Sequence, residues 1–146
     1  IGVRFFSVFG PWGRPDMFYL KYLMRTKRKT SIKIYNYGNH YRSFTYIDDV
    51  ISNLLKIINK FKNKKNICDV FNIGNPNSIY LKKFIKRIEK INKKIPNKIF
   101  IKKQLGDLST TKANVKREEK LFNHQVKISL DKGIKNLISW FNSYYK

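Results

Sequence analysis

Cysteine is almost absent. Cys68 stands alone among 146 residues, which excludes an internal disulfide framework; with no nucleophile-type partner in the sequence, it is expected to be a packed thiol. The two histidines, His40 and His124, are isolated in loop-like settings with no carboxylate or cysteine beside them, so the clustered ligands that a metal site needs are missing. No apolar run approaches the roughly 20 residues of a membrane-spanning helix. A signal-peptide pattern is also lacking, and cytoplasm is the expected location. Acidic residues are scarce too: 9 Asp+Glu stand against 32 Lys+Arg, for a net charge of +23. Such an excess would suit phosphate neutralisation by a nucleic-acid-binding module. The lysines are spread along nearly the whole chain, however, and no zinc-finger or RNP-type motif accompanies them. That distribution favours biased composition, with nucleic-acid binding kept as the alternative.

An initiating Met is lacking as well. Ile1-Gly2-Val3 has no cap and no polar lead-in, and it opens directly into what reads as a strand. A parallel strand buried on both faces cannot stand alone, so the chain is expected to be a fragment whose preceding part is missing.

What is present reads as one globular unit. Hydrophobic residues make up 42% and fall in periodic blocks, enough for a modest core in a single domain over residues 1–146. The run Val3–Phe9, rich in β-branched and aromatic residues, stops at Gly10-Pro11. It predicts a buried strand entering a stiff loop that carries Pro11, Trp12, Arg14 and Pro15. A rigid cationic loop at the carboxyl end of such a strand suits an anionic ligand; an ordinary strand and turn fits the same residues.

Met17 to Arg28 is expected to be a helix, Ser31 to Tyr37 a strand by its period-two alternation, and Arg42 to Ile47 another strand. Asp48-Asp49 is placed as N-cap and first-turn carboxylate of a helix from Val50 to about Phe61. Asp69–Gly74 is a short strand, Ser78 the cap of a helix from Ile79 to about Lys94, and Ile99–Ile101 a further strand. A helix from Lys112 to Phe122 is expected to end with Asn123 in the left-handed position, and a last helix covers Ser129 to about Tyr145.

No residue stands out as an acid, base or nucleophile. Asp48 and Asp49 are adjacent and do not face each other on a helix. Gly10-x-x-Gly13 is half of a dinucleotide fingerprint, but Pro11, Trp12 and Pro15 obstruct the amides that would cradle a pyrophosphate. What remains is a set of candidate anion contacts in Arg14, Arg42 and the Gln104–Asp107 loop. Arg42 could clamp a phosphate by paired N–H bonds or be an ordinary surface arginine.

Arg4 to Met17 is similar to the R-F-F-T-V-Y-G-P-W-G-R-P-D-M segment of UDP-glucuronate 4-epimerases, members of the extended short-chain dehydrogenase/reductase family of nucleotide-sugar enzymes. The similarity continues in order through Ile34–Gly38, Arg42–Val50, Phe71–Asn75, Gln104–Leu108 and the closing helix from Lys132 to Trp140. It implies an α/β fold: the C-terminal substrate-binding part of such an enzyme, with residues 1–9 a late strand of a Rossmann sheet and residues 10–146 a mixed α/β nucleotide-sugar-binding region. It also implies a reaction, NAD-dependent inversion at C4 of a UDP-sugar through a 4-keto intermediate, and a homodimer when full length. Another UDP-sugar epimerase or a decarboxylase of the family is the alternative.

By the same resemblance, Phe5 and Phe6 would line the nicotinamide side. Ser7 and Arg14 would lie near the sugar, with Lys33, Ile34 and Tyr35 around the uracil. Arg42 would pair with the diphosphate, and Gln104 and Asp107 would sit near the phosphates or ribose. Ser43 stands where the family has Asp, which leaves Arg42 without a sequence-adjacent carboxylate. The glycine-rich NAD loop and the Tyr-x-x-x-Lys pair have no counterpart in these residues, so this chain is expected to be inactive alone.

Overall fold

The computed structural model describes residues 1–146. The first apolar run is two strands rather than one: β1 (Gly2–Phe5) and β2 (Val8–Phe9), interrupted at Phe6-Ser7. Each half follows a different neighbour. β1 pairs in parallel with β6 (Val70–Ile73), in register Val3↔Phe71, while β2 pairs in parallel with β5 (Thr45–Tyr46). Two further pairs complete the strands. β3 (Ile32–Ile34) runs parallel to β8 (Lys98–Phe100), and β4 (Tyr41–Arg42) runs antiparallel to β7 (Ile79–Tyr80). Five helices surround them: α1 (Phe18–Lys27), α2 (Ile47–Phe61), α3 (Leu81–Asn92), α4 (Lys116–Phe122) and α5 (Leu130–Tyr144).

Several expected boundaries move, each for a local reason. The strand expected through Tyr37 stops at Ile34, because Tyr35–Gly38 tightens into a 3-10 turn with Asn36 and Tyr37 at positive φ. The strand expected over Arg42–Ile47 is broken at Ser43-Phe44, where Phe44 turns into the core. Ser78 does not cap α3, since Ile79 and Tyr80 are first used as a strand against β4. Residues 112–115 are not helical. There the chain runs beside β4, where Thr111 N–H donates to Tyr41 O and Ala113 N–H to Ser43 Oγ. Asn123 does end α4 in the left-handed conformation, and Ser129 caps α5 by accepting from Lys132 N–H.

Asp48 and Asp49 do not cap α2; both lie in its first turn. The buried Asp49 carboxylate instead accepts the N–H groups of Lys127 and Ile128, each at 3.0 Å, tying α2 to the segment that leads into α5. Asn53, one turn on, accepts from Gln125 N–H and donates to Gln125 O.

The principal core lies between α1, α3, α5 and the β2–β5 pair. Phe44 stacks on Phe84 with centroids 3.8 Å apart, and Phe9 meets both rings edge-on. Gly133 lets α5 approach this cluster: a Cβ there would lie 2.8 Å from both Phe9 and Tyr46. A smaller core of Val50, Ile57, Phe71, Ile73 and Phe122 sits between α2, α4 and the β1–β6 pair. Cys68, expected to be packed, is exposed.

Candidate functional site

The ends of β1, β3 and β4 converge with the start of α1 and the 101–110 loop on a cavity of about 220 Å³. Five of the ten residues singled out in the sequence line it: Ser7, Lys33, Tyr35, Arg42 and Asp107. These come from segments as far apart as residues 7 and 107, so the fold alone brings them together.

Arg42 is the best-anchored cation there. Its Nη2 donates to Asp107 Oδ1 at 2.9 Å, and its Nη1 to the carbonyls of Tyr41 and Ser109 at 3.0 and 3.3 Å. Asp107 thus supplies, from 65 residues along the chain, the carboxylate that Ser43 does not, and it fixes the orientation of Arg42. Ser43 is fully buried and serves the backbone, bonding Ala113 N–H and Thr111 O.

His40 is the main residue that sequence reading missed. It is buried at 4% exposure, and its Nε2 lies 2.8 Å from Asp107 Oδ2, a close polar contact without hydrogen-bond alignment. Far from lacking a carboxylate, it faces one supplied from 67 residues along the chain. Burial pushes the His40 pKa down; Asp107 opposes that shift, and the Arg42 guanidinium adds to it. Met17, Phe18, Tyr19, Phe44 and Leu81 complete the apolar wall. All five fall in hydrophobic patterns that read equally well as core.

The remaining five residues lie outside the cavity. Ile34 is buried and its carbonyl accepts from Ile101 N–H, so that carbonyl is already engaged within the fold. Arg14 is exposed and held by Asp16 through contacts of 3.0 and 2.5 Å. Their hydrogen bond raises the guanidinium pKa and lowers that of the carboxyl. Gln104 is exposed, Phe5 is half exposed, and Phe6 packs against Gly74.

The loop between β2 and α1 is fixed by close contact. A Cβ at Gly13 would lie 1.9 Å from the Tyr19 hydroxyl, so only glycine fits over that ring. The same loop is no dinucleotide cradle. Trp12 is in the left-handed region, Gly10 is pressed against Ile47, and no helix begins until Phe18. That loop therefore does not by itself hold the pyrophosphate of NAD.

A larger cavity of about 610 Å³ lies at the opposite ends of α1, α3 and α5, with Lys27, Lys29, Lys94 and Lys146 in its wall. Helix C-termini carry partial negative charge and attract lysines, and Lys27 bonds the Tyr145 carbonyl there. Its basic character is accounted for by the helix ends.

Residues 1–74 match the model of the NAD dependent epimerase/dehydratase family. The chain belongs to that family. Among relatives of this family member, "Uncharacterized protein MJ1055" of Methanocaldococcus jannaschii is 40% identical over 141 residues, which are 97% of this chain and 42% of the archaeal protein. UDP-glucuronate 4-epimerase 2 of Arabidopsis thaliana is 30% identical over 99% of this chain and 36% of its own length. The crystal structure of UDP-glucuronic acid 4-epimerase from Bacillus cereus, in complex with UDP-glucuronic acid and NAD, superposes with a TM-score of 0.87 at 30% identity. That match covers 98% of this chain and 45% of the bacterial one. The α/β fold is thus that of the family's epimerases, and the chain spans less than half the length of each of these proteins.

Proposed function

We propose that this chain is the UDP-sugar-binding part of an NAD-dependent nucleotide-sugar 4-epimerase, with UDP-glucuronate as the substrate. The observation that carries the reading is the convergence of Ser7, Lys33, Tyr35, Arg42 and Asp107 on one cavity with an apolar wall. Arg42, oriented by Asp107, presents charge-assisted donors to a diphosphate. Lys33 and Tyr35 flank the position of the base, and Ser7 faces the sugar. At about 220 Å³ the cavity is below the roughly 300–1,000 Å³ of a typical small-molecule site. It grips part of the ligand, and a second half of the enzyme closes over the rest. NAD, which takes up the C4 hydride and returns it, is held chiefly by that half, together with the catalytic tyrosine. Arg14 would reach the sugar carboxylate only after leaving Asp16.

The chain alone is expected to bind UDP and UDP-glucuronate without turning either over. Calorimetric titration with UDP, UDP-glucuronate and UDP-glucose checks this. Arg42→Ala should weaken all three ligands by roughly 10-fold or more, as loss of a charge-assisted contact worth about 1.5–3 kcal/mol implies. Preference for UDP-glucose would move the assignment to another UDP-sugar enzyme of the family. DNA binding that falls steeply with salt, with no UDP binding, would favour the nucleic-acid reading instead.

A further inference from the structure

His40 is set into the cavity wall by backbone bonds on either side of its ring. Its carbonyl accepts the N–H of Leu81 at 2.8 Å, which ties it to the first residue of α3. The next residue, Tyr41, donates its N–H to Ser109 O and accepts from Thr111 N–H. Phe44 and Leu81 stand beside the ring in the wall, and the residue is 4% exposed. Charges near it are therefore felt more strongly than they would be in water.

Asp107 divides its two oxygens between two cavity residues. Oδ1 accepts from Arg42 Nη2 at 2.9 Å, and Oδ2 lies 2.8 Å from His40 Nε2. With His40 neutral, the charges of Arg42 and Asp107 cancel; with His40 protonated, the cluster is cationic. The other charged or titratable groups around it are Lys33 and Tyr35 across the cavity, Tyr19 from α1, and Lys103 from the loop that bears Asp107. Lys103 Nζ is held at 3.0 Å by Ser109 Oγ. Burial holds the imidazole below its ordinary pKa, Arg42 and Lys103 add to that, and Asp107 opposes it. A doubly charged diphosphate beside Arg42 would add a second attraction for the protonated ring at short range.

We propose that His40 is a positioning residue that takes up a proton as a nucleotide diphosphate enters the cavity, so that Asp107 holds two cations, Arg42 and His40, against the ligand's charge. This role rests on the reading of the cavity as a UDP-sugar site and adds a linkage to it. The ligand-bound chain holds more protons than the free chain, so affinity rises as pH falls through the histidine range. A single titrating group limits the rise to about 10-fold per pH unit.

UDP-glucose is the probe, because both of its phosphates are esterified on two sides and do not titrate near neutrality, whereas a terminal phosphate does. Calorimetry at about pH 8 and about pH 6 should show a dissociation constant lower by about 3-fold or more at the acid end. Heats taken in two buffers of different ionisation enthalpy should show proton uptake on binding. His40→Gln should bind UDP-glucose without that uptake and equally well at both pH values, while His124→Gln keeps the original response. The chain has two histidines, so their ring protons can be followed separately by NMR. UDP-glucose should raise the titration midpoint of His40 and leave that of His124 in place. The NMR titration needs no variant and decides the matter if His40→Gln does not fold. Binding without proton uptake, uptake that survives His40→Gln, or an unmoved His40 midpoint would each overturn the role of His40 and leave the UDP-sugar reading standing. No binding of UDP-glucose or UDP-glucuronate at either pH would overturn that reading, and this role with it.

Discussion

The two cores of this molecule differ in how they are finished. Around Phe9, Phe44 and Phe84 the layers are complete: α1, α3 and α5 close over the β2–β5 pair, and the rings are in edge and stacked contact. At its margin Tyr22 donates to Glu89 at 2.6 Å, and Lys98 meets the same carboxylate. Around Phe71 the packing is equally intimate on one side only. Phe61 and Phe122 flank its ring, and beyond α2 the apolar stripe continues into solvent. The comparison teaches that the larger core is closed on its own and borders the candidate cavity, whereas the smaller one leaves an apolar stripe of α2 in water.

The largest effect is expected where the core is closed. Phe84→Ala removes a fully buried ring from the centre of the aromatic cluster and should cost about 3–5 kcal/mol, enough to unfold a marginally stable domain; a urea melt reads it. Phe71→Ala removes an equally buried ring from the smaller core, which can relax toward its open side. A cost nearer to about 3 kcal/mol is expected in the same melt, and equal costs for the two variants would break the comparison.

A third test uses pH. Burial pushes the pKa of both His40 and His124 below the ordinary value of 6.5, outweighing the nearby carboxylates. The folded chain therefore binds fewer protons than the unfolded one. Stability from keeping these rings neutral is present above the unfolded value and is lost as pH falls through the folded values. Urea midpoints should hold near neutrality and decline below about pH 6.5, with a slope of at most about 1.4 kcal/mol per pH unit for each histidine. The double variant His40→Gln/His124→Gln should flatten that part of the decline. The smallest effect belongs to the open face: Leu55→Ala, half in water already, should change the melt by about 0.5 kcal/mol or less.

Much of the fold was legible because helix stripes are local. Phe84, Ile85 and Ile88 on α3, and Ile134, Leu137 and Ile138 on α5, read as buried from spacing alone and are buried. What the spacing of residues could not show was competition between distant segments. The Val3–Phe9 run is continuous in sequence and divided in space because β6 and β5 claim different halves. Asp49 looks like a cap until Lys127 and Ile128 arrive beside it. The cavity followed the same rule. Arg42 was visible as a candidate from its motif, but its support by Asp107 and the nearness of His40 depend on a loop more than sixty residues away.

The β2–α1 loop carries a further consequence. The protein has two tryptophans, and they lie together: the exposed Trp12 ring is 5.4 Å from Trp140 and 4.9 Å from Tyr144. The indole N–H of Trp140 is buried without a hydrogen-bond acceptor. All the intrinsic tryptophan emission of the chain therefore arises at one place, where the segment bearing Arg14 rests on the end of α5. Any displacement of that segment would change the colour and yield of the light the molecule emits, giving it an optical gauge that needs no added label.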